Sequence, residues 1–318
     1  MKHSAIRSSL FAATTFAVVT GAGLAAAHAQ VACGDTISDK VAMTIDLACG
    51  TDPGFTIAAK GKVDMAGHSL TACGGCTGVA FTGQGGKLSN GSISGSGPGS
   101  IGVEIGGGGV HQLENVAVIG TEGGFDITSD GCKMKNLSAT NVSEYGFRST
   151  GDKTSISRSH ASGGAGAEGF VITADNCFLN ENTTANVGDA GFLVSGTANK
   201  LTRNSSVSSI ACITVLGNSN KLTQNTATGC SANGIEVIGD NNKVSKSVAA
   251  DNGDDGLVIT GANNKLTKNT ASDNGSNGLR IAGNGNNVGA GNTSNNANAG
   301  ILIGNGSDNG LKSNVSMG

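Results

Sequence analysis

GLVITGANNKLTKNTASDNGSN spans Gly256–Asn277, and at Gly278 the chain continues GLRIAGNGNNVGAGNTSNNANA. Glycine, asparagine and small apolar residues return to the same slots 22 positions later. Traced outward, the pattern restarts at Gly78, Gly102, Gly124, Gly146, Gly169, Gly191, Cys212, Gly234, Gly256, Gly278 and Gly300. Units of this length mark a solenoid, because one such unit cannot bury its own apolar face.

The second slot of successive units reads Val79, Val103, Phe125, Phe147, Phe170, Phe192, Ile213, Ile235, Leu257, Leu279, Ile301. The fourth is equally apolar apart from Ser149. Apolar residues two apart in a short segment describe a β-strand with one face inside. A second inward site carries Leu88, Met134, Ile156, Leu179, Leu201, Leu222, Val244, Leu266 and Val288. A third is expected at Ala185, Val207, Ala227, Ala249 and Ala271. Three inward segments per 22 residues make one triangular coil, and stacked coils form an all-β, single-stranded parallel β-helix. A leucine-rich repeat has similar length but needs several leucines per unit, and the glycines and asparagines here oppose its helical stretch. Asn182, Asn204, Asn225 and Asn269 recur in one column, with Ser247 interrupting. Asparagine tolerates left-handed backbone and bonds to its copy one rung away, which predicts a ladder.

Domain limits follow from where the period holds. Residues 1–29 carry Lys2 and Arg7, an apolar run and Ala27-His28-Ala29, the form of a secretory signal peptide cleaved after Ala29. Residues 30–77 fit the period poorly and read as an N-terminal cap with the first irregular coils; residues 78–318 are the repeats. A cap shields the unpaired strand edge of the helix. The C-terminal coil shows no such segment: either that end frays or a protein partner covers its edge. Of 20 basic and 23 acidic residues, only Lys2 and Arg7 fall in the leader, so the remaining chain is acidic. That balance, without a basic run, argues against nucleic acid. No later segment reaches the ~20 apolar residues that span a bilayer. A secreted or periplasmic location is expected.

Eight cysteines in an exported chain are free to pair. Cys33 with Cys49 brackets the cap, Cys73 with Cys76 closes a short loop, and Cys212 with Cys230 opens and closes one coil. Cys132 and Cys177 share a slot two rungs apart, beyond disulfide reach, and read as buried thiols. No zinc-ligand spacing is present.

The units of the form G-[apolar]-x-[apolar]…N-x-[apolar]-[ST]-x-N over residues 78–318 resemble the right-handed parallel β-helix repeat proteins of the pectate-lyase-like superfamily, of NosD-like type. CGDTI…DLAC and VDMAGHSL (Val63–Leu70) are similar to the opening of such exported proteins. The resemblance implies right-handedness, and a family of polysaccharide lyases, hydrolases and epimerases alongside members without known activity. The DPHD of alginate epimerases is absent. Gly253-Asp254-Asp255 matches one polygalacturonase element, but the NTD, GHG and RIK partners are missing, so Asp254 and Asp255 read as turn residues.

Chemistry is sought in the third slot of the first strand, expected to face solvent. Glu104, Asp126 and Arg148 occupy consecutive rungs there. Glu122, Glu144, Tyr145 and Glu168 lie just before the same strands as candidate ligand contacts. Two nearby acids suit acid/base or retaining glycoside chemistry. A carboxylate cluster with arginine also suits Ca²⁺-assisted proton abstraction from a uronate, so a lyase here would take Ca²⁺; otherwise no cofactor is expected. A cross-rung charge ladder is the simpler reading of the same residues. His68 with Asp64 is a second candidate pair, and His111 and His160 stand alone. The favoured function is an exported β-helix that presents an extended surface to a polysaccharide or envelope component without catalysis. The alternative is a polysaccharide lyase, hydrolase or epimerase acting on an acidic glycan at Glu104, Asp126 and Arg148.

Overall fold

The computed structural model describes residues 30–317; the leader expected at 1–29 lies outside them. Each coil contributes one strand to each of three parallel sheets and the coils wind right-handed, with no helix among the described residues. The first sheet has 13 strands, from Thr36–Ile37 through Gly123–Ile127 and Tyr145–Ser149 to Ile301–Ile303. The second runs from Lys40–Ala42 to Gly310–Lys312 and the third from Leu47–Ala48 to Val315–Met317. Lys87–Ser96 and Gln112–Ile119 are long enough to pass through both.

Coiling begins early. Thr36 pairs with Thr56 and Thr56 with Ala80, so residues 30–77 already wind in the same sheet, at steps of 20 and 24 residues. Cys33–Cys49, Cys73–Cys76 and Cys212–Cys230 are bonded, whereas Cys132 and Cys177 are free and buried.

The glycine that opens each unit has a steric origin. A Cβ on Gly124 would lie 2.3 Å from the carbonyl oxygen of Gly146, and one on Gly169 2.3 Å from that of Gly191. Any side chain there would push the rungs apart. Beside that column, second-slot residues stack directly. Phe125, Phe147, Phe170 and Phe192 form a continuous pile with ring centroids 4.8, 4.5 and 4.8 Å apart. Each such contact contributes about 0.5–1.5 kcal/mol beyond area burial.

Two expectations need correction. The third inward column holds Ala161, Thr184, Ser206, Ala227, Ala249 and Ala271, so Ala185 and Val207 are one residue out of register, and Val207 is exposed. The hydroxyls mislead a polarity reading: Thr184 donates to Ser206 Oγ at 2.9 Å, and the paired groups are tolerated inside. The ladder exists as expected: the backbone N–H of Asn182, Asn204, Asn225 and Ser247 donates to the side chain one rung on. However, the left-handed residue is the one before each rung member, such as Glu181, Arg203, Gln224, Lys246 and Lys268. That conformation costs about 1–2 kcal/mol for a residue with a side chain. It turns the following residue inward, where its hydrogen bonds offset the cost.

A second, unforeseen ladder runs through Asn199, Asn220, Asn242, Asn264 and Asn286. Each Oδ1 accepts the N–H of the preceding rung while each Nδ2 donates to a turn carbonyl, as Asn242 does to Gly217 at 3.0 Å. Asn252, Asn274 and Asn296 form a third. At the final coil Ile303 and Leu311, on the inward columns, are exposed.

Candidate functional site

Parallel pairing in the first sheet sets Asp126 opposite Glu104 on one side and Arg148 on the other. The three residues meet as the sequence predicts. Their exposure differs from the expectation: Glu104 is exposed, but Asp126 is buried, as is the third-slot residue Val258. The guanidinium of Arg148 closes over Asp126, with Nε to Oδ1 at 3.2 Å and Nη2 to Oδ2 at 2.7 Å. Beneath it lies the Tyr145 ring, 4.1 Å from the guanidinium carbon. Tyr145 reaches back over Gly123, where a Cβ would sit 2.3 Å from the phenol oxygen, so this glycine makes room for the ring. Burial, then the charge of Asp126, raises the Tyr145 hydroxyl far above its ordinary pKa, and it stays a neutral phenol.

The remaining acids surround this pile without joining it. Glu144 approaches Arg148 Nη1 only at 3.9 Å. Glu122 turns away to accept the backbone N–H of Gly99. Glu168, in register with Tyr145, is raised above the usual carboxylate range by burial and then by Asp189 and Glu144. Glu104 has no ion-pair or hydrogen-bond partner among the described residues.

Chemically, a bidentate guanidinium takes the best acceptor directions of both Asp126 oxygens. A carboxylate so engaged is a poor base or nucleophile, and two-carboxylate glycoside chemistry needs both acids free toward one bond. No group of three or more His, Cys, Asp or Glu side chains is placed to hold a metal among the described residues.

The pair expected between His68 and Asp64 is not formed. His68 Nδ1 faces Asp46 at 3.3 Å, while Asp64 accepts the N–H of Ala66 and the amide of Asn90. His111 is fully buried against Phe81. Its Nδ1 accepts the Gly86 N–H at 3.2 Å, and burial lowers its pKa against opposing backbone groups at Gly106 and Gly108.

Sequence reasoning missed two arrangements. Asp255 is no simple turn residue: it is buried, ion-paired to Arg280 of the next rung, and receives the N–H and Nδ2 of Asn277 at 2.9 and 2.8 Å. Burial pushes its carboxyl up, but Arg280 and Asn277 outweigh that and hold it below the usual range. The other is basic. Stacking brings Lys200, Lys221, Lys243 and Lys265 into one column of the second sheet. The signal was the recurrent K-[LV]-[TS] tripeptide, invisible to any search for a contiguous basic run.

The family description "right handed beta helix region" matches residues 77–239 and 211–317. The chain belongs to this family. Among solved structures the β-helix is similar to the periplasmic alginate epimerase AlgG, with 12% identity, a TM-score of 0.59 and coverage of 88% of this chain and 84% of that one. It is also similar to the A-module of the Azotobacter vinelandii mannuronan C-5 epimerase AlgE4, with 12% identity, a TM-score of 0.50 and coverage of 90% and 87%. At these identities the likeness is one of fold. No curated protein matches the chain.

Proposed function

We propose that this β-helix is exported and binds a polysaccharide along its surface without transforming it. The observation that carries the non-catalytic reading is the closed Asp126–Arg148 pair over Tyr145, which leaves Glu104 as the one free acid of the predicted centre. Regular rungs present repeating surface chemistry along a single axis, the form an extended polymer needs. The solved epimerases of alginate and mannuronan on the same fold support a polysaccharide as the ligand class. Three disulfides are in keeping with an oxidising compartment.

A second reading, a lyase, hydrolase or epimerase centred on Glu104, Asp126 and Arg148, is favoured by Glu168, whose raised carboxyl resembles a general acid. The deciding experiment incubates the protein, with and without Ca²⁺, with alginate, polygalacturonate and a neutral glucan. Chain length, C-5 configuration and binding are followed together. Binding with unchanged polymer is expected. Cleavage or epimerisation that disappears in Asp126→Asn overturns the proposal in favour of the enzyme.

A further inference from the structure

The second sheet carries a column of lysines, of which Lys200, Lys221, Lys243 and Lys265 have no ion-pair partner among the described residues. Lys40 pairs with Lys62 and Lys62 with Lys87, and farther along Phe178 pairs with Lys200, then Lys221, Lys243 and Lys265 follow rung by rung. Parallel in-register strands bring these residues to about 4.8 Å spacing. Like charges facing one another across strands destabilise a sheet. Among the described residues, ion pairs on this side involve Lys135 with Glu114, and Arg158 and Arg203 with Glu181; none involves the four consecutive lysines. Exposed Lys246 and Lys268 add to the charge one column over. Asp240, in the turn before Lys243, is engaged elsewhere: its Oδ1 accepts the Ala262 N–H at 2.7 Å.

Between the two basic columns runs a row of hydroxyls, Thr202, Thr223, Ser245 and Thr267, paired rung to rung. Over the coils of Lys243 and Lys265 the floor is a shallow groove of about 320 Å³ lined by Lys243, Ser245, Lys246, Lys265, Thr267 and Lys268. Mutual repulsion within a chain of overall acidic balance is a stability cost with no structural return. Contact with a polyanion supplies the return.

We propose that this stripe binds a linear acidic polysaccharide laid along the solenoid axis, its carboxylates on the lysine row and its hydroxyls on the threonine row. The inference rests on the surface-binding reading above and moves the contact from the acidic cluster of the first sheet to the basic column of the second. Charge complementarity selects the polymer's sign, and regular spacing with interleaved hydroxyls suits a repeating sugar acid. Single-stranded nucleic acid would need a series of aromatic platforms for its bases, whereas Phe178 is the sole aromatic of the column.

The test compares the full chain with the Lys221→Gln/Lys243→Gln/Lys265→Gln variant, measuring binding to alginate, polygalacturonate, neutral hydroxyethyl cellulose and single-stranded DNA at low and high salt. Removing three contacts is expected to weaken polyuronate binding about tenfold, with a shallower salt dependence and a melting temperature no lower than that of the unmodified protein, which certifies folding. Equal polyuronate binding by both proteins, or binding of the neutral glucan alone, overturns the stripe but leaves the surface-binding reading standing. Binding of DNA alone through the same lysines overturns the choice of polymer. No glycan bound by the unmodified protein sinks the surface-binding reading, and the stripe falls with it.

Discussion

The acids of the first sheet and the lysines of the second are produced by the same 22-residue stacking, yet they end in opposite states. Asp126 and Asp255 are buried, each held by an arginine one rung away. Lys200, Lys221, Lys243 and Lys265 stand exposed, each beside its own kind. A charge that has found a partner inside the molecule belongs to the architecture; a row without partners is open to a ligand. The contrast is sharpest between neighbours. Asn242 and Lys243 are consecutive, but one is sealed in a ladder and the other projects into solvent.

That neighbouring pair gives the largest expected effect. Asn242→Ala leaves the buried Asn220 N–H and the part-buried Gly217 carbonyl without partners and should cost roughly 1–3 kcal/mol in urea denaturation. A loss of only a few tenths would mean that the ladder does not hold the rungs. Asp255→Ala comes next, at about 1–3 kcal/mol, because the amide of Asn277 and the charge of Arg280 lose their partner together. If it proves neutral, the buried acids are no more structural than the surface lysines.

Acidification should produce a smaller, distinctive loss. His111 has a folded-state pKa below its unfolded value, so it stays neutral in the fold while the unfolded chain takes up a proton. Stability is therefore full above about pH 6.5 and declines below it, by no more than about 1.4 kcal/mol per pH unit for one proton. Melting temperatures from pH 7.5 to 5 read this, and His111→Gln should flatten the slope; an unchanged slope assigns it to another group. Smallest of all, Lys243→Gln should raise stability by a few tenths of a kcal/mol as it relieves its neighbours. A clear loss would show that the lysine column has internal partners after all.

Much of this was legible in one dimension. The spacing of Gly124, Gly146, Gly169 and Gly191 and the apolar slots beside them specify coil, strand and inward face, because close rung contact excludes any Cβ. The rung neighbours of Asp126 followed from that register. Its burial did not, since it depends on Tyr145 folding back across Gly123 and drawing Arg148 over the carboxylate. The third inward column was set one residue off, at Ala185 and Val207, because Thr184 and Ser206 are polar, although two hydroxyls satisfy each other inside. The lysine column escaped because charge was judged along the chain, whereas the solenoid adds it across the chain at every twenty-second residue.

The division between the two faces is tested most directly with Asp126→Asn, assayed beside the unmodified protein for melting temperature, alginate affinity and alginate turnover. The expected result is a loss of about 1 kcal/mol or less in stability, as the half-exposed Arg148 loses a charged partner. Affinity should be unchanged and turnover absent in both proteins. Turnover by the unmodified protein that vanishes on substitution, or a drop in affinity without a drop in stability, would contradict it and return the functional site to the first sheet.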